Sequence, residues 1–429
     1  MRSVRLSCVI APVVLLGVLS ARPPASAQPP DAPAAVTLEA ALRRALQRHP
    51  ALESASRLVE AADGRVRQAG TRPNPELEVE LENVSGDLPG VAESEATVQL
   101  SQRLETGGKR GARRAVARAD RALAGRDLEA ARLDLVRDVR IDFALALGAD
   151  RQLALAEETL TIAREIAETA ERKVEAGALP AVEATRARVS IAAAEIEAER
   201  ARGAARLARE RLALHWGGEP VAERVEGSLD SLSAVPNAGA AIARLPENPD
   251  LARWADEDAA QRARLRLERS QRALDLELSG GYRRLAAEER GTFVVGLSAE
   301  LPLLDRNRGG IAAAAAEAER ATFEEERARR ALERDLRDVL VRLEIAQVEV
   351  RELRRRVLPG AQDVYDGVRL GYEQGRFTYL DVLEARRFLA GAKEAEIAAL
   401  VELEQRRIEV ERLTGHGEDL IERVMEERP

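Results

Sequence analysis

PELEVELENV, residues 75–84, places Leu77, Val79 and Leu81 on one side of an extended chain and Glu76, Glu78, Glu80 and Glu82 on the other. A soluble antiparallel sheet with one solvated face has this pattern. So does a strand that crosses a bilayer as part of a barrel, with one face in lipid and the other in a wet lumen. The surrounding sequence decides between them.

The 429 residues are 33% charged, 45% apolar and only 3% aromatic. A mixture ruled by Ala, Leu, Glu and Arg suits long helices packed through small side chains better than a compact globule. Residues 1–27 differ from the rest: Arg2 and Arg5, an apolar run from Val9 to Leu19, then Ala25-Ser26-Ala27. This is the layout of a cleaved secretory signal, and the run is too short to span a bilayer. The expected mature protein is exported, and no later stretch is apolar and long enough for a transmembrane helix. Cys8, the only cysteine, leaves with the signal, so no disulfide or thiolate metal site is expected. Losing three arginines leaves 63 basic against 74 acidic side chains, a net charge of −11 in place of −8. An acidic exported chain is a poor candidate for a nucleic-acid partner.

The chain also repeats itself at an offset of about 198 residues. RHPAL (48–52) recurs as ENPDL (247–251), VQLSQRL (98–104) as VGLSAEL (295–301), EAGALPAVEATRAR (175–188) as EQGRFTYLDVLEAR (373–386), and ERLALHWG (210–217) as ERLTGHG (411–417). The order is kept, so duplication is the reading: a first repeat over 28–220 and a second over 221–429. Strands are expected at about 75–84 and 93–104 around the turn-rich NVSGDLPGVA, and at about 275–284 and 291–301 around LAAEERG. Gly280 and Gly281 weaken the third of them. No proline falls between Pro89 and Pro180, which allows one helix of on the order of 100 Å within a hairpin over 108–216. A second hairpin is expected over 308–414. There Leu332, Leu336, Val339, Leu343, Ala346, Val350 and Leu353 alternate spacings of four and three, a coiled-coil seam continued by Leu389, Ala392, Ala399, Leu403, Val410 and Leu413.

Four strands of about ten residues with a period of two have the length and pattern of bilayer-crossing strands. Leu77, Val79, Leu81, Val98, Leu100, Leu276, Leu278, Phe293, Val295 and Leu297 are then assigned to lipid. Glu76, Glu78, Glu80, Thr97, Gln99, Glu277 and Ser298 are assigned to the lumen, with Glu82 completing the acidic row. A spanning sheet must close, and four strands cannot close on water, so several chains must share one barrel.

With these parts in place, residues 37–415 resemble the TolC-like outer-membrane efflux family. The junctions LSQRLETGGKRGARR (100–114) and LPLLDRNRGGIAAA (301–314) are similar to those of its heavy-metal efflux branch. The resemblance implies a mainly α fold with a membrane β-barrel portion: a homotrimer with a twelve-stranded barrel continued by a periplasmic α-helical tunnel. It implies residence in the outer membrane of a Gram-negative bacterium and contact with outer-membrane lipid. It also implies partnership with a periplasmic adaptor (membrane fusion) protein and an inner-membrane proton-driven transporter of the RND type. The turns EAGALPAVEATRAR and EQGRFTYLDVLEAR match the tunnel tip, where Gly177 and Gly375 end helices and adaptors dock. Asp381 and Glu384 match the acidic rings of the aperture, and a solvated helix start is their ordinary alternative. Glu183 and Tyr372 match a polar link that holds the gate shut. Phe377 departs from the pattern, standing where some relatives carry arginine.

No catalytic constellation, cofactor motif or metal site is read from the sequence. His49, His215 and His416 lie at helix breaks without ligand spacing, Met425 is the only mature methionine, and GGKR (107–110) lacks the rest of a phosphate loop. The expectation is a passive exit duct of a three-part pump, carrying heavy-metal cations. The alternatives are a drug or type I secretion duct, or a soluble periplasmic coiled-coil adaptor or scaffold.

Overall fold

The computed structural model describes residues 35–84, 94–219, 222–229, 237–415 and 421. The signal segment, most of the NVSGDLPGVA turn, His416 and Met425 lie outside the described residues. In chain order the elements are β1 (Ala35–Thr37), α1 (Leu38–Arg48), α2 (Pro50–Ala69), β2 (Glu76–Glu82), β3 (Glu95–Leu104), α3 (Lys109–Glu175), α4 (Ala181–Leu214), β4 (Arg224–Glu226) and α5 (Ala238–Ala243), followed by α6 (Pro249–Ser270), β5 (Leu276–Leu285), β6 (Arg290–Ala299), α7 (Arg308–Glu352), α8 (Leu358–Glu373) and α9 (Tyr379–Leu413).

The repeated motifs make repeated caps. In RHPAL, His49 Nδ1 accepts from Ala51 N at 3.3 Å, with Pro50 opening α2. In ENPDL, Asn248 Oδ1 accepts from Asp250 N at 2.8 Å, with Pro249 opening α6. Both satisfy an orphan amide and use proline where its missing N–H costs nothing. Asn248 also donates to Leu413 O at 2.9 Å, which ties the start of α6 to the end of α9.

The 67 residues of α3 run unbroken. Its partner in the second half is interrupted: Leu353–Val357 form a π-helical turn between α7 and α8. Pro359 explains the break, because its ring presses on the carbonyl four residues back and it brings no N–H. Leu336, Leu343, Ala346 and Val350 are buried along α7, as the heptad spacing requires, and Leu332, Val339 and Leu353 are packed beside them. Helices α3 and α9 touch closely at Gly148, where a Cβ would meet Val401 Cγ2 at 2.5 Å.

The main core lies around the middle of α3, where Val139, Phe143 and Leu147 meet Leu42, Leu212, Trp216, Leu336 and Leu400. The short parallel pair β1–β4 contributes Val36 and Val225. A second, alanine-rich core, holding Ala167, Ala170, Ala187, Tyr365, Tyr372, Tyr379 and Val382, lies at the far hairpin ends. Small side chains there let four helix ends approach closely.

Strands β2, β3, β5 and β6 form one antiparallel sheet in the order β2-β3-β5-β6, so β3–β5 pairing joins the two halves. Register puts Leu77 opposite Leu100, Val98 opposite Tyr282 and Tyr282 opposite Phe293, all on one face. That face is inverted relative to a soluble sheet. Phe293 is 85% and Val295 80% exposed, while the polar-face residues Thr97 and Ser101 are buried. Gly281 lies opposite Gln99 on the polar face, and a Cβ there would come within 2.6 Å of Val98 O, so the glycine that weakens the strand pattern admits close strand approach.

Candidate functional site

The hairpin tips are built by two matching helix ends. After α3, Ala178 N donates to Lys173 O at 2.8 Å and Gly177 N to Val174 O at 2.9 Å, with Gly177 at φ +70°. After α8, Arg376 N donates to Gly371 O at 2.7 Å and Gly375 N to Tyr372 O at 3.1 Å, with Gly375 at φ +75°. Both are Schellman closures whose left-handed residue favours glycine.

The next helices begin differently. Thr378 caps α9 through a capping box: Thr378 N and Oγ1 each donate to Asp381 Oδ2 at 2.7 Å, and Asp381 N donates to Thr378 Oγ1. The backbone bond from Thr378, helped by its hydroxyl, holds the Asp381 carboxyl below the usual carboxylate range. In the first half the corresponding residue is Pro180, which has no side-chain donor, and Glu183 takes the place of Asp381. Glu183 is therefore released from capping. Its Oε1 pairs with Arg186 at 2.9 Å, and its buried Oε2 has no hydrogen-bond partner among the described residues.

Tyr372 lies nearby. Lys173 Nζ sits 4.0 Å from the ring centroid and 3.3 Å from the Tyr372 carbonyl, and Tyr379 is tilted against the ring at 6.3 Å. Burial raises the Tyr372 hydroxyl above its ordinary pKa, and the Glu183 charge adds to the effect. The hydroxyl thus stays a donor, and it too has no partner among the described residues. Glu384 lies one turn beyond Asp381 on α9, exposed to solvent. Phe377 folds back over Gly371, where it would meet an added Cβ at 2.3 Å.

On the sheet, Glu76, Glu78, Glu80 and Glu82 face Ser101, Gln99, Thr97 and Glu95 across β2–β3. Arg283 reaches this row from β5. It donates to Thr97 Oγ1 at 3.0 Å, lies 3.3 Å from Glu95 and 3.8 Å from Glu82, and leaves Glu76, Glu78 and Glu80 without an ion pair among the described residues. The sequence reading did not single out Arg283, although parity with Glu277 and Ser279 places it on the polar face.

A second group missed from the sequence fixes the sheet to the helices. Asp275, just before β5, accepts from Lys109 Nζ at 2.8 Å, Arg103 Nη2 at 2.8 Å and Thr106 N at 3.1 Å. Burial alone would raise its pKa, but Lys109, Arg103 and the Thr106 amide outweigh it and hold the carboxyl low. Beside it Glu105 pairs with Arg113, Nη2 to Oε2 at 2.9 Å. GGKR thus supplies a cation to a junction latch. His49 and His215, far apart in the sequence, have ring centroids 5.9 Å apart, with His215 Nε2 2.8 Å from Asp142 Oδ2. No group of three or more His, Cys, Asp or Glu among the described residues is arranged to hold a metal.

A family model described as outer membrane efflux protein matches residues 41–218 and 243–416. The cobalt-zinc-cadmium resistance protein CzcC of Cupriavidus metallidurans is 32% identical over 388 residues, covering 90% of this chain and 92% of its own. The nickel and cobalt resistance protein CnrC of the same organism is 30% identical over 275 residues, 64% of this chain and 65% of its own. Among solved structures, the outer membrane channel CmeC of Campylobacter jejuni superposes with a TM-score of 0.74 at 16% identity, covering 90% of this chain and 89% of its own.

Proposed function

Because the chain belongs to the outer membrane efflux protein family, and so forms an efflux channel in the Gram-negative outer membrane that extends into the periplasm, we propose that it is the exit duct for heavy-metal cations in a three-part pump. The observation that carries this reading is the similarity to CzcC along nine-tenths of both chains. The relatives found are channel and resistance proteins rather than enzymes, and the soluble scaffold alternative has no use for a sheet whose oily face is the exposed one.

The proposed assembly is a trimer. A sheet with free edges at β2 and β6 leaves backbone groups unsatisfied in hydrocarbon, and three copies supply twelve strands, enough to enclose water. The two halves, divided near residue 220, are duplicated units that each give one strand pair and one helical hairpin. Glu76, Glu78, Glu80 and Glu82 then line the lumen of the wall, where repeated carboxylates raise the local cation concentration. At the tip, Asp381 and Glu384 ring the aperture, Glu183 and Tyr372 supply an acceptor and a donor to the closed gate, and the turns at Gly177 and Gly375 receive a periplasmic adaptor. A proton-driven inner-membrane transporter supplies the energy.

Deleting the chain from cells that keep the remainder of the pump tests the cargo. Cell-associated cobalt, zinc or cadmium should rise on deletion, with drug tolerance unchanged. Unchanged metal content together with lost drug tolerance would replace this reading with a drug duct of the same family.

A further inference from the structure

The two strand-to-helix junctions have diverged. After β3 the chain reads ETGG (105–108) and is pinned by Asp275; after β6 it reads ELPLLDRN (300–307). In the second junction Leu301 is 61%, Leu303 69% and Leu304 100% exposed. The loop that shows them is held in place. Leu303 N donates to Leu301 O at 2.8 Å and Asn307 N to Asp305 Oδ1 at 2.8 Å, while Asn307 Nδ2 donates to Glu268 O at 3.0 Å. Three leucines are thus presented to the surroundings on a fixed loop.

Position says what covers them. Phe293, Val295 and Leu297 are exposed on the lipid face of β6, and the loop that carries Leu301, Leu303 and Leu304 starts just past its last residue. Ten strand residues at about 3.4 Å each, tilted about 40°, rise roughly 26 Å, close to the ~25 Å apolar band of an outer-membrane barrel. The leucines therefore fall directly below that band, on the side where α7 leaves for the periplasm. Arg306 and Arg308 follow them, both exposed, at the level where cationic side chains meet lipid phosphates.

We propose that Leu301, Leu303 and Leu304 form an apolar rim that enters the headgroup–acyl boundary of the periplasmic phospholipid leaflet, with Arg306 and Arg308 against its phosphates. Repeated around the assembly, the rim fixes the depth of the barrel and joins it to the helical tunnel at a constant height. The inference rests on the sheet being a membrane wall, so the test includes a position for each.

Leu304→Trp and Phe293→Trp are made separately in the full-length protein and reconstituted in phosphatidylcholine vesicles, with acyl chains either plain or brominated near the headgroup. Emission is read as the difference from the parent, which keeps Trp216 and Trp254. Both added tryptophans should emit to the blue of a water-exposed indole, and both should lose intensity in the brominated lipid. Quenching at Phe293→Trp without quenching at Leu304→Trp overturns the rim alone. Blue-shifted but unquenched emission at Leu304→Trp would mean that a second copy covers the loop, and red emission would mean that water does. Absence of quenching at both positions overturns the wall as well as the rim.

Discussion

Removing the Asp275 carboxylate tests how the sheet is fixed to the helices. Lys109 is buried beside it, and Asp275→Ala leaves that ammonium without its counter-charge and the Thr106 amide without its acceptor. Breaking a buried ion pair from one side costs about 3–5 kcal/mol. Arg103 is more than half exposed and adds at most about 1 kcal/mol. With an unfolding entropy of about 2.1 cal/mol/K per residue, taken over residues 28–429 as one cooperative unit, the loss corresponds to a midpoint shift of about 4–6 °C. The assay is thermal unfolding of the detergent-solubilised protein for the parent, Asp275→Ala, Lys109→Met and the double variant. Since the double variant strands no charge, it should unfold no lower than Asp275→Ala alone, with a coupling of about 2–3 kcal/mol. Additive shifts would refute the argument, because they would mean that Lys109 and Asp275 stabilise the junction independently.

Acid should act through the same junction. The carboxyls of Asp275 and Glu105 are held below their ordinary range, so their stabilisation is complete above about pH 4–5 and is lost as pH falls through their lowered folded values. Unfolding midpoints should be flat near neutrality and fall below about pH 4, with a shallower fall in the Asp275→Ala/Lys109→Met variant; equal acid sensitivity in the two proteins would remove the junction from the cause. At the tip, Asp381→Asn with Glu384→Gln removes six charges from a trimer, and single channels in a planar bilayer should lose cation preference. Tyr372→Phe with Glu183→Ala should instead raise conductance by releasing the closed gate. Parent-like conductance and selectivity in both double variants would make these residues ordinary helix-surface groups.

Much of the architecture was legible because it rests on periodicity. Alternation in PELEVELENV fixed which side chains share a face, and the lack of proline between Pro89 and Pro180 permitted the long α3 helix. The repeat at EAGALPAVEATRAR and EQGRFTYLDVLEAR also held the contrast between Pro180 and Thr378, which determines whether the following acid caps its helix or is free for other contacts. The junction latch was not legible, since Asp275 and Lys109 are 166 residues apart and meet only through β3–β5 pairing. The π turn before Pro359 escaped for a related reason: the heptad pattern runs through Leu353 while the backbone does not keep pace with it. The facing of His49 and His215 depends on how α1 and α4 end against the same core, which no local pattern encodes.

The most direct test of the account is whether water and lipid lie on opposite faces of β2. Single cysteines introduced at Glu78, Val79, Glu80 and Leu81 in intact cells, treated with a membrane-impermeant thiol reagent small enough to enter the duct, should separate by parity. Positions 78 and 80 should react quickly and positions 79 and 81 slowly, since neighbouring side chains on a strand point to opposite faces. Equal labelling at all four positions would contradict the account, because a strand wet on both sides is not part of a membrane wall.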